Sequence, residues 1–158
     1  MEKLSYSRFF LCLLACNGAG ILGSIGTVAG ISSWYPDLNK PEFTPPDWIF
    51  LPVWTLLYTL MALALYLVIE KGKKSRAAVI FFGIHLLLNA SWSIVFFQYH
   101  QIGAALVILI IMWAMIAISI FWFKRFSTGA ALLLVPYLAW VSFAGVLNAY
   151  ILALNVLN

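Results

Sequence analysis

The side chains able to do chemistry in this sequence are few. It has two histidines, two cysteines and five acidic residues, against seven tryptophans, seven tyrosines and twelve phenylalanines. His85 and His100 have no charged partner near them in sequence, so no Ser/His/Asp set can be drawn. A single histidine does not define a metal site, and Cys12 and Cys16 lie one helical turn apart. A disulfide between them is awkward on a regular helix, so they read as small packing residues. Asp37, Glu42 and Asp47 fall in a loop, where carboxylates are solvated or cap a helix. No nucleotide, phosphate or metal motif is present, and neither a metal nor a resident cofactor is expected. What remains is flat aromatic surface and a few amides. Those groups suit a planar, mostly apolar small molecule with a polar edge.

The aromatics concentrate in one stretch, Trp34–Trp54, WYPDLNKPEFTPPDWIFLPVW. It holds three of the five acidic residues, three tryptophans and two phenylalanines. Large rings interleaved with polar groups can anchor at a membrane interface and cover an apolar cavity. Lys40 at the rim can meet a carboxylate, or can simply be solvated.

The elements that position this stretch must lie in lipid. Of 158 residues, 65% are hydrophobic and 9% are charged, where a soluble domain carries about 25% charged residues. Apolar runs fall at about 9–31, 47–70, 77–98, 103–123 and 129–155, with a lid loop at 32–46. Each run approaches or exceeds the roughly 20 residues a spanning helix needs, and none alternates like a membrane strand. The fold class expected is an all-α integral membrane protein. A single five-helix domain covers residues 1–158, its long first loop capping an interior pocket.

The net charge of +4 does not point to nucleic acid, because the basic residues sit between the apolar runs. Five spans put Lys3, Arg8, Lys71, Lys73, Lys74, Arg76, Lys124 and Arg125 on one side and leave only Lys40 on the other. That bias puts the N-terminus in the cytoplasm and the C-terminus outside, in a prokaryotic plasma membrane.

Within the runs, the first is rich in glycine, including the pair Gly26 and Gly30, a spacing that lets helices approach closely. The second is expected to start with Thr44 as N-cap, Pro45 at the first position and Asp47 three after the cap. Pro52 then lies inside it and should free the Trp48 carbonyl and kink the helix. His85, Asn89, Trp92 and Phe96 share one face of the third. Polar groups at membrane depth face the bundle interior. Asn89 reads equally as a ligand contact and as an interhelical hydrogen bond worth about 0.6 kcal/mol, whereas His85 reads as the latter. The fourth run is structural. In the fifth, Pro136 should free the Leu132 carbonyl, and Trp140, Ala144, Leu147, Asn148 and Ile151 share a broad face that can floor a pocket.

Three blocks carry a resemblance. The pattern WY-x-x-L-x-KP-x-F-x-PP-x-W-x-x-x-PVW-x-x-x-Y from Trp34 to Tyr58, NASWSIVFF at Asn89–Phe97 and PYLAWVSFAGVLN at Pro136–Asn148 resemble the translocator protein family. Its members are the tryptophan-rich sensory proteins, once called peripheral benzodiazepine receptors. The resemblance spans roughly residues 5–155. It implies a five-helix bundle, often a homodimer, that binds porphyrins such as protoporphyrin IX and synthetic planar ligands under the first loop. Matched residue by residue, it implicates Tyr35, Phe50, Trp54, Asn89, Trp92, Trp140, Ala144 and Leu147. Some bacterial members are reported to degrade protoporphyrin in light, with the tryptophans matching Trp54 and Trp140 as the catalytic candidates. Histidine at position 85 departs from the family, which more often has glutamine there.

Three activities therefore compete: a tetrapyrrole sensor, a light-dependent porphyrin-degrading enzyme, and a porphyrin or lipid transporter. No inverted repeat favours the last. Sterol binding should be weak beside porphyrin binding, since no Lys or Arg follows Tyr150 to complete the L/V-x-Y-x-K/R pattern. The charge bias makes a direct prediction. A cysteine introduced as Asn39→Cys is labelled by a membrane-impermeant thiol reagent on intact cells, and labelling only after lysis contradicts the orientation.

Overall fold

The computed structural model describes residues 6–156, which leaves Lys3 outside the described residues. The chain is helical. α1 is Tyr6–Gly30, α2 Phe50–Ile69, α3 Arg76–Ser93, α4 Ile102–Lys124, α5 Thr128–Leu133 and α6 Val135–Asn155. A 3₁₀ turn, Asp47–Ile49, leads into α2, and a π-helical turn, Ile94–Gln98, continues α3. Among the described residues five segments are long and apolar enough to cross a membrane: Tyr6–Gly30, Asp47–Ile69, Gly72–Gln98, Ile102–Lys124 and Thr128–Asn155. This is the expected five-helix membrane bundle, with α5 and α6 sharing the last span.

The helices close into a ring. α1 packs on α2 and α3, α4 on α3 and α6, and α2 on α5. Arg8 of α1 pairs with Glu70 beyond the end of α2 at 3.1 Å. At the opposite end Trp34 stacks on His100 with ring centroids 4.2 Å apart, and Asn155 meets Asn39. The connections thus separate to two ends as the basic residues do. Outward faces carry Leu14, Ile25, Ile84, Leu87 and Ile110, all exposed, as lipid contact requires.

Three local expectations are corrected. Thr44 does not cap α2: its hydroxyl donates to the Pro41 carbonyl at 2.7 Å, and Pro46 stands at the N-cap of the 3₁₀ turn with no side-chain cap. Pro52 falls in the first turn of α2, not in its interior. The N–H it lacks has no intrahelical role there, so no kink is needed. Pro136 likewise stands at the start of α6, because the last span breaks at Leu134 into two helices. Ser127 caps the shorter one, accepting from the Ala130 N–H at 3.2 Å.

The tightest helix contact is α1 against the end of α3. A Cβ added at Gly26 would meet the Ile94 Cα at 2.6 Å, and one at Gly30 would strike the Phe97 carbonyl. Beside them Thr27 and Ser93 share a hydroxyl hydrogen bond of 2.6 Å. Because backbone, not a movable side chain, blocks the added methyl, Gly26→Ala is expected to cost about 1–3 kcal/mol. Gly18→Ala, where nothing lies within 4 Å, should leave the bundle unchanged or slightly more stable. Thermal unfolding of the two variants in detergent checks the contrast.

Candidate functional site

Below the first loop, residues from four parts of the chain surround one pocket. Tyr35 comes from the loop, Phe50 from the first turn of α2, Trp92, Phe96 and Phe97 from the end of α3 and its π turn. Trp140, Phe143, Ala144, Leu147, Asn148 and Ile151 come from α6. Phe50 meets Trp140 edge to face at 6.0 Å, and Trp92 stacks on Phe96 at 5.6 Å. The wall is almost wholly aromatic and aliphatic. Its free central space is about 30 Å³, room for one or two waters.

The loop is strapped over this pocket. Lys40 folds back, donating to the Tyr35 carbonyl at 2.7 Å and the Pro36 carbonyl at 3.2 Å, with its ammonium 4.7 Å from the Tyr35 ring centre. It is therefore engaged within the loop. The Asn39 N–H donates to Asn155 Oδ1 at 2.9 Å, and Asn155 Nδ2 returns a bond to the Asn39 carbonyl at 2.8 Å. Phe43 packs on Tyr150 and Phe143. Burial, with the Asp47 carboxylate adding to it, pushes the Tyr35 phenol up to about 12, so it stays neutral and can point into an apolar site.

Of the eight residues singled out from sequence, Tyr35, Phe50, Trp92, Trp140, Ala144 and Leu147 meet at this wall. Asn89 and Trp54 are placed elsewhere. The Tyr58 hydroxyl donates to Asn89 Oδ1, and Asn89 Nδ2 donates to the Tyr137 hydroxyl oxygen at 2.7 Å. The Tyr137 hydroxyl in turn lies 2.8 Å from His85 Nε2. With its oxygen accepting from Asn89, Tyr137 has its proton to give to His85. This chain joins α2, α3 and α6 in the core, and His85 is fully buried in it. Trp54 stacks on Tyr58 at 5.4 Å and meets Tyr137 edge-on at 6.2 Å, so it covers the polar chain.

Phe97 and Phe143 were not foreseen in the wall. On a regular helix Phe97 turns roughly 100° from Phe96. The π turn, closed by Tyr99 N–H to the Ile94 carbonyl at 3.1 Å, admits an extra residue and brings both rings inward. No sequence signal marks that turn.

A model of the TspO/MBR family matches residues 12–154. This chain belongs to the TspO/MBR family. The tryptophan-rich protein TspO of Chlorobaculum tepidum is 44% identical over 148 residues, 92% of this chain and 94% of that relative. The tryptophan-rich sensory protein of Cereibacter sphaeroides is 35% identical over 153 residues, 97% of this chain and 94% of the relative. The human translocator protein is 42% identical over 120 residues, 73% of this chain and 70% of the relative. The chain is thus an integral membrane protein of the TspO/MBR family, one whose relatives are named as sensory and translocator proteins.

The core chain makes a stability prediction for this family member. Asn89→Leu leaves the Tyr58 and Tyr137 hydroxyls short of a partner. It should destabilise the bundle by about 1–3 kcal/mol. Adding Tyr58→Phe should recover part of the loss, since one orphaned hydroxyl is then gone. Thermal unfolding of the single and double variants reads both effects.

Proposed function

We propose that this chain is a membrane sensor that binds a planar, mostly apolar ligand of the porphyrin type in the pocket beneath the first loop. The observation that carries this reading is the wall itself. Trp140, Phe50, Trp92 and Phe96 present rings around the small floor residue Ala144, and ring faces favour a flat ligand. The sensory names of the relatives support it. The free space of about 30 Å³ is far smaller than the 300–1,000 Å³ or so of ordinary ligand pockets. Binding a macrocycle therefore requires the loop to lift and the aromatic cluster to part. Loop position then reports occupancy, which is what a sensor needs. The distribution of Lys and Arg supports a cytoplasmic N-terminus in a prokaryotic plasma membrane, with the loop on the outer side.

Titration of the purified protein with protoporphyrin IX, in darkness and then in light, tests the reading. Dark binding with quenching of tryptophan fluorescence is expected. Ala144→Phe should block it, at a cost of about 1–3 kcal/mol in stability because the added ring exceeds the free space, and Trp140→Phe should weaken it several-fold, as loss of a stacking contact worth roughly 0.5–1.5 kcal/mol requires. Unchanged binding in both variants removes the pocket from consideration. A light-dependent product that disappears in Trp54→Phe or Trp140→Phe with dark affinity intact favours the enzyme instead.

A further inference from the structure

The end of the bundle opposite the lid loop carries charge that the described residues do not neutralise. Lys71, Lys73, Lys74, Arg76, Lys124 and Arg125 are all exposed there. Glu70 is the one acidic residue at that end among the described residues, and Arg8 occupies it at 3.1 Å. A bias of this kind orients a chain during insertion, which asks only that cations stand at this end. It does not ask where on each helix they stand.

Two of them top exposed apolar stripes. On α3, Arg76, Ile80 and Ile84 follow one another four residues apart, all exposed. On α4, Ile118, Phe121 and Arg125 do the same towards the helix end. Arg125 holds its guanidinium carbon 4.9 Å from the centre of the Phe121 ring, a cation–π contact that sets the charge beside a lipid-facing group. The two stripes are neighbours. Phe81 meets Trp122 at 5.2 Å and Phe82 meets Phe123 at 5.3 Å, which brings the first turns of α3 against the last turn of α4. Phe81 and Trp122 are half-buried, so their rings line the seam between the stripes.

We propose that the α3–α4 seam binds an anionic phospholipid of the adjoining leaflet. The phosphodiester oxygens accept from the guanidinium groups of Arg76 and Arg125, whose forked donors suit phosphate. The acyl chains lie along Ile80 and Ile84 on one side and Ile118 and Phe121 on the other. The nearby lysines select for net negative charge, because a zwitterionic headgroup brings a cation of its own into their field. An acidic protein segment answers the charge but not the apolar stripes beneath it, which favours a lipid. The seam lies at the far end of the bundle from the pocket, so the proposal is independent of the ligand reading.

Native mass spectrometry of the full-length protein tests it. The protein is released from micelles that hold equal amounts of phosphatidylglycerol and phosphatidylcholine with matched chains. Phosphatidylglycerol should be retained about fivefold in excess, the worth of one surface cation. Arg76→Gln combined with Arg125→Gln should bring the ratio towards one. Lys71→Gln combined with Lys73→Gln removes the same charge away from the stripes and should leave most of the preference. All four side chains are exposed, so the bundle should fold in both variants, and thermal unfolding checks that it does. Equal retention of the two lipids by the parent protein overturns the proposal, as does retention of neither. So does a preference that survives loss of the two arginines, or one that falls as far with the two lysines. A decaglutamate peptide is added in a last arm, in phosphatidylcholine micelles. If it binds and phosphatidylglycerol does not displace it, the surface serves an acidic protein segment and the lipid proposal falls.

Discussion

Two helices in lipid gain little from burying apolar surface against each other, since the surrounding tails are equally apolar. Their contact has to come from close packing and hydrogen bonds. Here the decisive contact is α1 on the end of α3, where Gly26 and Gly30 let backbone approach backbone at Ile94 and Phe97. The end of α3 winds as a π turn at this point, which carries Phe96 and Phe97 into the pocket together. The turn that follows places His100 at a positive φ of 57°, in position to stack on Trp34. Trp34 in turn begins the lid loop. A packing decision between two helices is thereby passed to the wall and the cover of the pocket.

Polar groups in this bundle divide into two sets with different duties. Tyr58, Asn89, Tyr137 and His85 form a directional chain that holds three helices in register deep in the core. Its bonds tie the helices together in a membrane interior, where an orphaned group is costly, and they leave one such group, His85 Nδ1, buried without a hydrogen-bond partner. Trp92 and Asn148 sit at the pocket and hold one another at 3.4 Å, beyond a good hydrogen bond. The first set keeps the scaffold in one arrangement. The second joins the end of α3 to α6 across the pocket wall.

The loop shows the same division. Lys40 knots it internally, and the Asn39–Asn155 pair ties it to the end of α6. These bonds lie at the aqueous end of the bundle, where water can replace them at small net loss. Ring contacts hold the loop as well: Phe43 packs on Tyr150 and Phe143, and Trp34 stacks on His100.

Much was settled by the chain itself, because lipid imposes a severe constraint on sequence. Five long apolar runs can only be helices, and the segregation of Arg8, Lys71–Arg76 and Lys124–Arg125 from Lys40 fits one crossing on each side of Lys40 and two between Arg76 and Lys124. The aromatic stretch Trp34–Trp54 and the face from Trp140 to Leu147 are visible as residue types at helical spacing, and six of the eight candidate residues meet at one wall. Tertiary structure decided the rest. Asn89 and Trp54 lie at helical positions that suit a pocket, yet the hydroxyls of Tyr58 and Tyr137, remote in sequence, draw them into the core chain. Pro52 and Pro136 each mark a helix start, which depends on where the preceding turn ends and not on the proline alone. Phe97 reaches the wall only through the π turn, and that turn sits where two glycines of another helix press on it. Periodicity along one helix records which residues face inward. Which inward group it will meet depends on neighbours brought close by packing, and no single segment holds that information.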